Sequence, residues 1–305
     1  MNKNHYLKLF SSFLVGLIFG VILIDKGESQ YLIIKKWVYK RLSLTLLSIV
    51  DYKFEKCLPE IIEKVPNQSS VIIGHSYGSK RGKVHWKKYD NFAPHVDKFL
   101  NTNVKRISNV IFTGDVFFIP SEKDWDELYK KYEPFFNIYI APGEHDVGRE
   151  KENAYRDVFN RKVGLKQPSL PFMIHKENFD IIIDDSNNEQ NFIPIIKNLR
   201  SNKKNDHLLI MRHHVAIEPL VKYGNSRQRN RIFDEKFLED LFPSYKNVTI
   251  INGNGGAYET KPRIACYRHN NINHIVNGIG DLSKDKVIVI NDGAIYQYNL
   301  SKYFN

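Results

Sequence analysis

Short runs of β-branched and aliphatic residues recur along most of the chain, and each run ends in glycine or polar residues. Runs of this length that are bounded by turn-forming residues are typical of buried strands. They lie at residues 71–73, 110–112, 138–140, 181–183, 208–211, 248–251 and 287–290. Between them, residues 122–132 and 234–241 have helical patterns, with Ser121 and Asp234 as N-caps. The alternation predicts an α/β or mixed fold.

The composition excludes several classes of protein. The chain has 305 residues, of which 42% are hydrophobic, so it can bury a sizeable core and is not intrinsically disordered. Cys57 and Cys266 lie far apart, and neither belongs to a C-x-x-C motif. We therefore expect neither a disulfide framework nor a cysteine-ligated zinc module. The formal net charge of +11 fits an anionic partner and a solvated basic surface equally well.

An apolar segment near the start of the chain predicts a membrane anchor. Residues 9–24 include no charged side chain. As a helix they would extend roughly 24 Å, a little less than a hydrocarbon layer of ~30 Å. A cleaved signal peptide begins in the same way but ends at a small-residue site, whereas the charged sequence DKGE follows here. The sequence favours an uncleaved transmembrane helix within residues 1–30 over a removed signal peptide.

Residues 31–67 form a second N-terminal segment, in which apolar and aromatic residues are mixed with cations. This composition fits a basic amphipathic helix beside the membrane as well as it fits an ordinary helix packed on the domain. The polar run beginning at Pro66 marks a break, so we expect the globular domain to occupy residues 68–305. By the positive-inside rule, the lysines before the apolar segment and the basic cluster after it predict opposite orientations of the helix in the membrane. We expect a single-pass membrane protein whose globular domain faces away from the cytoplasm.

Polar side chains directly follow the predicted strands, where the functional residues of α/β folds collect. They are His75, Asp115, Glu144-His145-Asp146, Asp184-Asp185, His213-His214 and Asn254. A single residue such as Asp115 is ordinarily a cap or a turn residue. The ordered series of carboxylates and imidazoles, with glycines between them, instead suits a site that coordinates a divalent cation.

This order resembles the calcineurin-like metallophosphoesterase family, whose motifs run Asp-x-His, Gly-Asp, Gly-Asn-His-Asp/Glu, a lone His and Gly-His-x-His. The sequence TGD at residues 113–115 matches the second motif, and GEHD at residues 143–146 matches the third except that glutamate replaces asparagine. His213, or alternatively His214, matches the fourth motif. The resemblance covers residues 71 to about 281 and implies a four-layer α/β/β/α sandwich of two mixed sheets.

The family's roles transfer to individual positions of this sequence. The resemblance implies five metal ligands, namely Asp115, Glu144, His213, His75 and Asn254, with His214 as an alternative. Asp115 would be the bridging carboxylate, and Glu144 would supply an anionic oxygen in place of an amide. His145 would contact the phosphate and protonate the leaving oxygen, oriented by a carboxylate such as Asp146.

The implied reaction is metal-assisted hydrolysis of a phosphate mono- or diester. A bound metal lowers the pKa of its water from about 15.7 towards ~7 and neutralises phosphoryl oxygens. Histidine can then give a proton to the departing alkoxide. The metal would be manganese, iron, zinc or magnesium, present as one ion or two.

Two motifs depart from the family pattern. Ile73 or Gly74 stands where the first-motif aspartate would be, and Asn254 and Gly256 stand where two histidines of the fifth motif would be. One metal ion is therefore easier to accommodate than two. The alternative from another class is a catalytically inactive member that keeps the fold and serves as a binding or assembly protein at the membrane.

Two further sequence patterns indicate functions other than phosphate-ester hydrolysis. The sequence GHSYG at residues 74–78 fits the nucleophile elbow of α/β-hydrolases, in which Ser76 would attack an acyl carbon, but that fold needs several strands before the elbow. Residues 80–89 interleave cations and aromatic rings, as single-strand nucleic-acid binders do, although no recognised nucleic-acid module is present. Beside a phosphoesterase site, Lys80 and Arg81 of this stretch would bind the anionic substrate; otherwise the stretch is a solvated basic loop.

Overall fold

The computed structural model describes residues 54–78, 93–148, 153–188, 197–198, 200–224, 232–257, 264–280 and 285–303. The predicted transmembrane helix, most of the predicted juxtamembrane segment, and the residues Lys80 and Arg81 lie outside these ranges. Within them, no helix combines the length and the apolar character that a membrane span requires.

The strands of the described residues form two six-stranded mixed sheets. Their bounds are β1 (Glu60–Ile62), β2 (Ser69–Ile73), β3 (Ile107–Phe112), β4 (Asn137–Ile140), β5 (Phe172–His175), β6 (Asp180–Ile183), β7 (His207–Arg212), β8 (Asn247–Asn252), β9 (Ala265–His269), β10 (Ile272–Val276), β11 (Lys286–Asn291) and β12 (Ala294–Asn299). The first sheet has the order β1-β12-β11-β2-β3-β4, and the second has the order β5-β6-β7-β8-β10-β9. In the first sheet β2, β3 and β4 run parallel. In the second sheet β6, β7, β8 and β10 run parallel.

Helices occupy the connections between these strands. Their bounds are α1 (Pro94–Asn103), α2 (Glu122–Tyr132), α3 (Glu144–Val147), α4 (Asn153–Lys162), α5 (Glu218–Tyr223) and α6 (Glu235–Leu241). Single 3-10 turns lie at Arg200–Asn202, Asn254–Ala257 and Ser301–Tyr303. Both predicted N-caps are confirmed, since Ser121 forms a reciprocal capping box with Asp124 and the Asp234 side chain accepts from two backbone amides of α6.

Alternation along the strands builds three apolar layers. In β3, Val110 and Phe112 pack against the helices of the first sheet, whereas Ile111 faces the second sheet. In β7, Leu208 and Ile210 pack against α5 and α6, and Leu209 faces the first sheet. Successive side chains of a strand point to opposite faces, so fully apolar strands are buried on both sides. The predicted sandwich of two mixed sheets is confirmed for the described residues.

One expectation is corrected, and the start of the compact unit is defined. The compact unit begins at Phe54, and its first strand, β1, pairs in parallel with β12. Cys57 and Cys266 form a disulfide with a Cα–Cα distance of 5.7 Å, although the sequence predicted none. The fold brings together two residues that are 209 positions apart, which spacing in the sequence could not show.

Candidate functional site

The site lies where the carboxyl ends of parallel strands from both sheets meet. The turn after β2 contacts the turn after β3, since the His75 backbone N–H donates to the Gly114 carbonyl. The turn after β8 contacts the end of β7, since the Asn254 backbone N–H donates to the His213 carbonyl. Imidazole Nδ1 of His213 lies 2.9 Å from the Thr113 carbonyl oxygen and so links the two sheets. The topology thus gathers residues from distant parts of the chain at one end of the sandwich.

Asp115 is the centre of this arrangement. Its Oδ2 atom lies 3.5 Å from Nε2 of His75 and 3.4 Å from Nε2 of His213. Its Oδ1 atom accepts a hydrogen bond of 3.1 Å from the backbone N–H of His145. All three side chains, Asp115, His75 and His213, are buried. Two sequence-predicted histidines, His75 and His213, therefore meet at the Asp115 carboxylate, and His145 is attached to it through its backbone.

The backbone is strained at two of these residues. His75 has φ 53° and Asp115 has φ 56°, in the left-handed region that non-glycine residues rarely adopt. Such conformations cost of order 1–3 kcal/mol each and persist where the surrounding structure imposes them, which occurs often at active sites. The strain directs both side chains into the same buried space.

Two glycines permit the close packing of these turns. A Cβ atom on Gly253 would lie 1.6 Å from the Thr113 carbonyl oxygen, so only glycine allows β3 and β8 to approach. A Cβ atom on Gly143 would lie 2.2 Å from Oδ1 of Asp115. Glycine in the GEHD motif therefore makes room for the central carboxylate.

The electrostatics of the site favour an ionised Asp115. Burial opposes ionisation, but the imidazoles of His213, His145 and His75 outweigh it and hold the pKa of Asp115 well below its usual range. Burial likewise opposes a charge on His213, yet the Asp115 carboxylate raises the pKa of His213 above its ordinary value, with a smaller contribution from Glu144. The Asp115 carboxylate is therefore a buried negative charge that lies between the imidazoles of His75 and His213.

Asp146 has a different role from the one expected. Its carboxylate accepts hydrogen bonds from the backbone N–H groups of Asp115, Val116 and Gly143. Imidazole Nδ1 of His145 instead lies 2.8 Å from the Phe118 carbonyl oxygen. Burial and the neighbouring charge of Asp115 raise the pKa of Asp146 to about 6. Asp146 therefore holds the two motif turns together, and it is the Phe118 carbonyl that orients His145.

The remaining predicted ligands lie at varying distances from this centre. Glu144 is half-buried at the first position of α3, near enough for its charge to act on His213. Asn254 is buried beside His213 through its backbone hydrogen bond. The Nε2 atom of His214 lies 3.1 Å from Oδ1 of Asn187 in the turn after β6, and its ring lies edge-to-face against that of His213, with the centroids 4.9 Å apart. His214 therefore packs beside the group around Asp115, with Asn187 as its polar partner.

The donor set fits a divalent cation only in part. The two Nε2–Oδ2 separations exceed a normal hydrogen bond, and Nε2 of His213 has no hydrogen-bond partner among the described residues. Two ligand atoms that each lie about 2.1 Å from a tetrahedral cation are about 3.4 Å apart, so each pair has a suitable spacing. Within the described ranges, however, no group of three or more His, Cys, Asp or Glu side chains is arranged to hold a metal ion. The chemistry and the pairwise spacing fit a cation, but the side chains that the structure describes do not form a complete ligand group.

The acyl-hydrolase hypothesis is not supported by the geometry. The Ser76 side chain is fully buried, and its hydroxyl donates to the Val116 carbonyl at 3.2 Å. Among the described residues, no histidine forms a hydrogen bond with the Ser76 hydroxyl. A nucleophile elbow would expose the serine hydroxyl beside a base, so Ser76 has a structural role here.

One residue that sequence reasoning missed belongs to the site. The Tyr77 hydroxyl lies 3.0 Å from Nε2 of His75, and the two ring centroids are 4.3 Å apart. Tyr77 follows His75 by two positions in the turn after β2, so its proximity in sequence was the available signal. It adds a phenol to the buried imidazole and carboxylate groups.

Comparison with known proteins finds a solved structure with a similar fold, but it does not show to which family this chain belongs. The sequence matches no protein-family model and no curated protein. The structure is similar to a purple acid phosphatase from yellow lupin (Lupinus luteus) seeds, with a TM-score of 0.51 and 15% identity over 77% of this chain and 52% of that chain. This chain therefore spans about half the length of the lupin enzyme. The two-sheet sandwich therefore shares the fold of that phosphatase.

Two other solved structures match less well. GAP50, the anchor in the inner membrane complex of Plasmodium, has a TM-score of 0.44 and 11% identity over 75% of this chain and 83% of that chain. Vps29 of Chaetomium thermophilum has a TM-score of 0.33 and 11% identity over 75% of this chain and 87% of that chain. Similarity at these identities concerns the fold and says nothing of activity.

Proposed function

We propose that this protein is a divalent-cation-dependent hydrolase of a phosphate mono- or diester. The observation that carries the proposal is the position of the Asp115 carboxylate between the Nε2 atoms of His75 and His213. Buried ionisable groups that share one space at the ends of parallel strands are typical of functional sites. The metallophosphoesterase-type fold agrees with this reading.

Each side chain has a definable part in such a reaction. Asp115, His75 and His213 would hold the cation, which when bound activates a water molecule and neutralises phosphoryl oxygens. Since a carbonyl only accepts, the contact with Phe118 keeps a proton on Nδ1 of His145. When the imidazole of His145 carries both protons, Nε2 is the nitrogen that can give one to the leaving oxygen. The substrate would be a phosphorylated molecule, and Lys80 and Arg81 remain predicted contacts for it.

The test combines metal analysis with an activity assay of the full chain. We expect the purified protein to bind manganese and to hydrolyse a chromogenic phosphate mono- or diester, and Asp115→Asn to abolish turnover. Asp240→Asn is the matched control, because this aspartate is exposed on α6 and pairs with Lys236. Equal activity of the Asp115→Asn variant and the wild type would reject the proposal.

A second candidate function has its own supporting observation. The absence of a complete ligand group among the described side chains favours a protein that keeps the fold and acts by binding or assembly at the membrane. A folded wild-type protein that neither binds metal nor hydrolyses any phosphate ester would support this candidate over the enzyme.

The disulfide supports a proposal about location. Disulfides persist in oxidising compartments and are rare in the cytosol, and Cys57 and Cys266 are bonded. We propose that the domain faces an oxidising compartment outside the cytoplasm, which is the orientation that we expected from the sequence. Thiols alkylated at cell lysis and counted by mass spectrometry should show both cysteines protected. Two alkylated cysteines would contradict the proposal.

A further inference from the structure

Two aromatic rings pack against His145 beside the site. The ring centroid of His145 lies 4.7 Å from that of Phe118 and 5.2 Å from that of Tyr77. The rings of Tyr77 and Phe118 are themselves 5.4 Å apart in an edge-to-face arrangement. Tyr77 is buried, whereas Phe118 and His145 are half-buried and retain surface that another molecule can reach. Ile119, the next residue, is 62% exposed.

We infer that the substrate's leaving group is an apolar, aromatic alcohol that packs on the ring of Phe118. The inference rests on the proposed function, because it takes His145 as the group that protonates the leaving oxygen. In that reaction a water oxygen forms a bond to phosphorus and the phosphorus–oxygen bond to the alcohol breaks. The leaving oxygen keeps the electron pair and takes a proton from His145. Side chains beside His145 therefore meet the leaving group and not the phosphoryl group.

The chemistry of these side chains selects the leaving group. An aromatic alcohol gains ring contacts with Phe118, which prefer centroid separations of about 4.5–7 Å. A charged alcohol would lose hydration against the same rings. The rings are already held in place, since the Tyr77 hydroxyl contacts His75 and the Phe118 ring packs against the rings of His145 and Tyr77. Preorganised rings lower the entropic cost of binding.

The Phe118 backbone also couples recognition to catalysis. Its carbonyl oxygen lies 2.8 Å from Nδ1 of His145, and its side chain stacks on the same imidazole. A ring bound against Phe118 would thus be placed beside the proton donor. Replacing the side chain by alanine keeps the carbonyl, so the variant removes the stacking surface and leaves the imidazole contact available.

The test measures binding of two phosphonates that resist hydrolysis, using the full chain with manganese. We expect phenylphosphonate to bind roughly tenfold more tightly than methylphosphonate. Phe118→Ala should remove that preference, so that this variant binds the two phosphonates with similar affinities. Phe135→Ala is the matched control, because Phe135 is 59% exposed and is neither one of the residues around Asp115 nor one of the rings beside His145. Phe135→Ala should keep the preference.

The outcomes separate this inference from the proposed function. Equal affinities for the two phosphonates in the wild type, no binding of either, or an unchanged preference in Phe118→Ala would each overturn the inference. Hydrolysis of phosphate esters without the phenyl preference would leave the enzyme proposal intact. A phenyl preference without any hydrolysis would sustain the inference as a binding specificity and reject the enzyme. Binding decides here rather than rate, because phenol is also a better leaving group than methanol.

Discussion

Replacing Cys57 by alanine should destabilise the domain by several kcal/mol. The disulfide joins residues separated by 209 positions. Closing a loop of this length removes chain entropy from the unfolded state worth about 5 kcal/mol, an upper value because unfolded chains are already compact. Cys57 is the better position to change, because it is half-buried whereas Cys266 is fully buried between the sheets. The remaining thiol of Cys266 would pack as a small apolar group.

Urea unfolding of the full chain, followed by tryptophan fluorescence, measures this loss. With a slope of about 2.5 kcal/mol per M, a loss of 5 kcal/mol moves the midpoint by about 2 M. Reductant should lower the wild-type midpoint to that of Cys57→Ala and leave the variant unchanged. The variant should still fold, since Phe54 stacks on Tyr223 at 4.3 Å and β1 still pairs with β12. An identical midpoint for oxidised and reduced wild type would refute the reasoning.

Three other perturbations probe the packing and electrostatics of the fold. Gly253→Ala should abolish soluble folded protein, because its Cβ would lie 1.6 Å from the Thr113 oxygen. Gly78→Ala, where φ is +91° in open space, should cost only about 1–2 kcal/mol; similar thermal midpoints for the two variants would contradict this. Trp125 is fully buried under the first sheet, so Trp125→Ala should lose about 3–5 kcal/mol in a denaturant titration, and a loss below 1 kcal/mol would be inconsistent with that packing. Burial holds the pKa of His274 well below its usual value, so below pH ~6.5 only the unfolded state gains the proton and stability falls by up to ~1.4 kcal/mol per pH unit. Unfolding free energies between pH 8 and pH 5 should show this slope, and His274→Phe should flatten it; an unchanged slope in the variant would count against the assignment.

Most strands that sequence reasoning predicted are buried on both faces. The exception is β4, an edge strand of the first sheet in which Asn137 is exposed and Tyr139 is half-buried. Each of the seven predicted runs lies within an observed strand, as residues 110–112 do within β3. The strands that it missed carry polar residues or lie at sheet edges. β10 contains Asn273 and His274 between apolar positions, and β12 contains Gln297. Their polar residues broke the apolar run, which was the signal used to identify a strand.

The sequence identified most residues of the candidate site, but it predicted the roles of fewer of them. Asp115, His75, His145 and His213 were recognised because each follows a strand. The structural role of Asp146 and the turn of His214 towards Asn187 depend on hydrogen bonds between residues about 30 positions apart. A local pattern contains no information about such contacts.

The sequence by itself determined the α/β class and the set of polar residues after strands, because apolar periodicity and glycine placement are local properties of the chain. Only the tertiary structure decided that Cys57 meets Cys266, that the domain begins at Phe54, and that Asp115 lies between two imidazoles. These contacts join residues that are far apart in the sequence, within one sheet as well as between the two packed sheets. Distances of that kind depend on the whole fold.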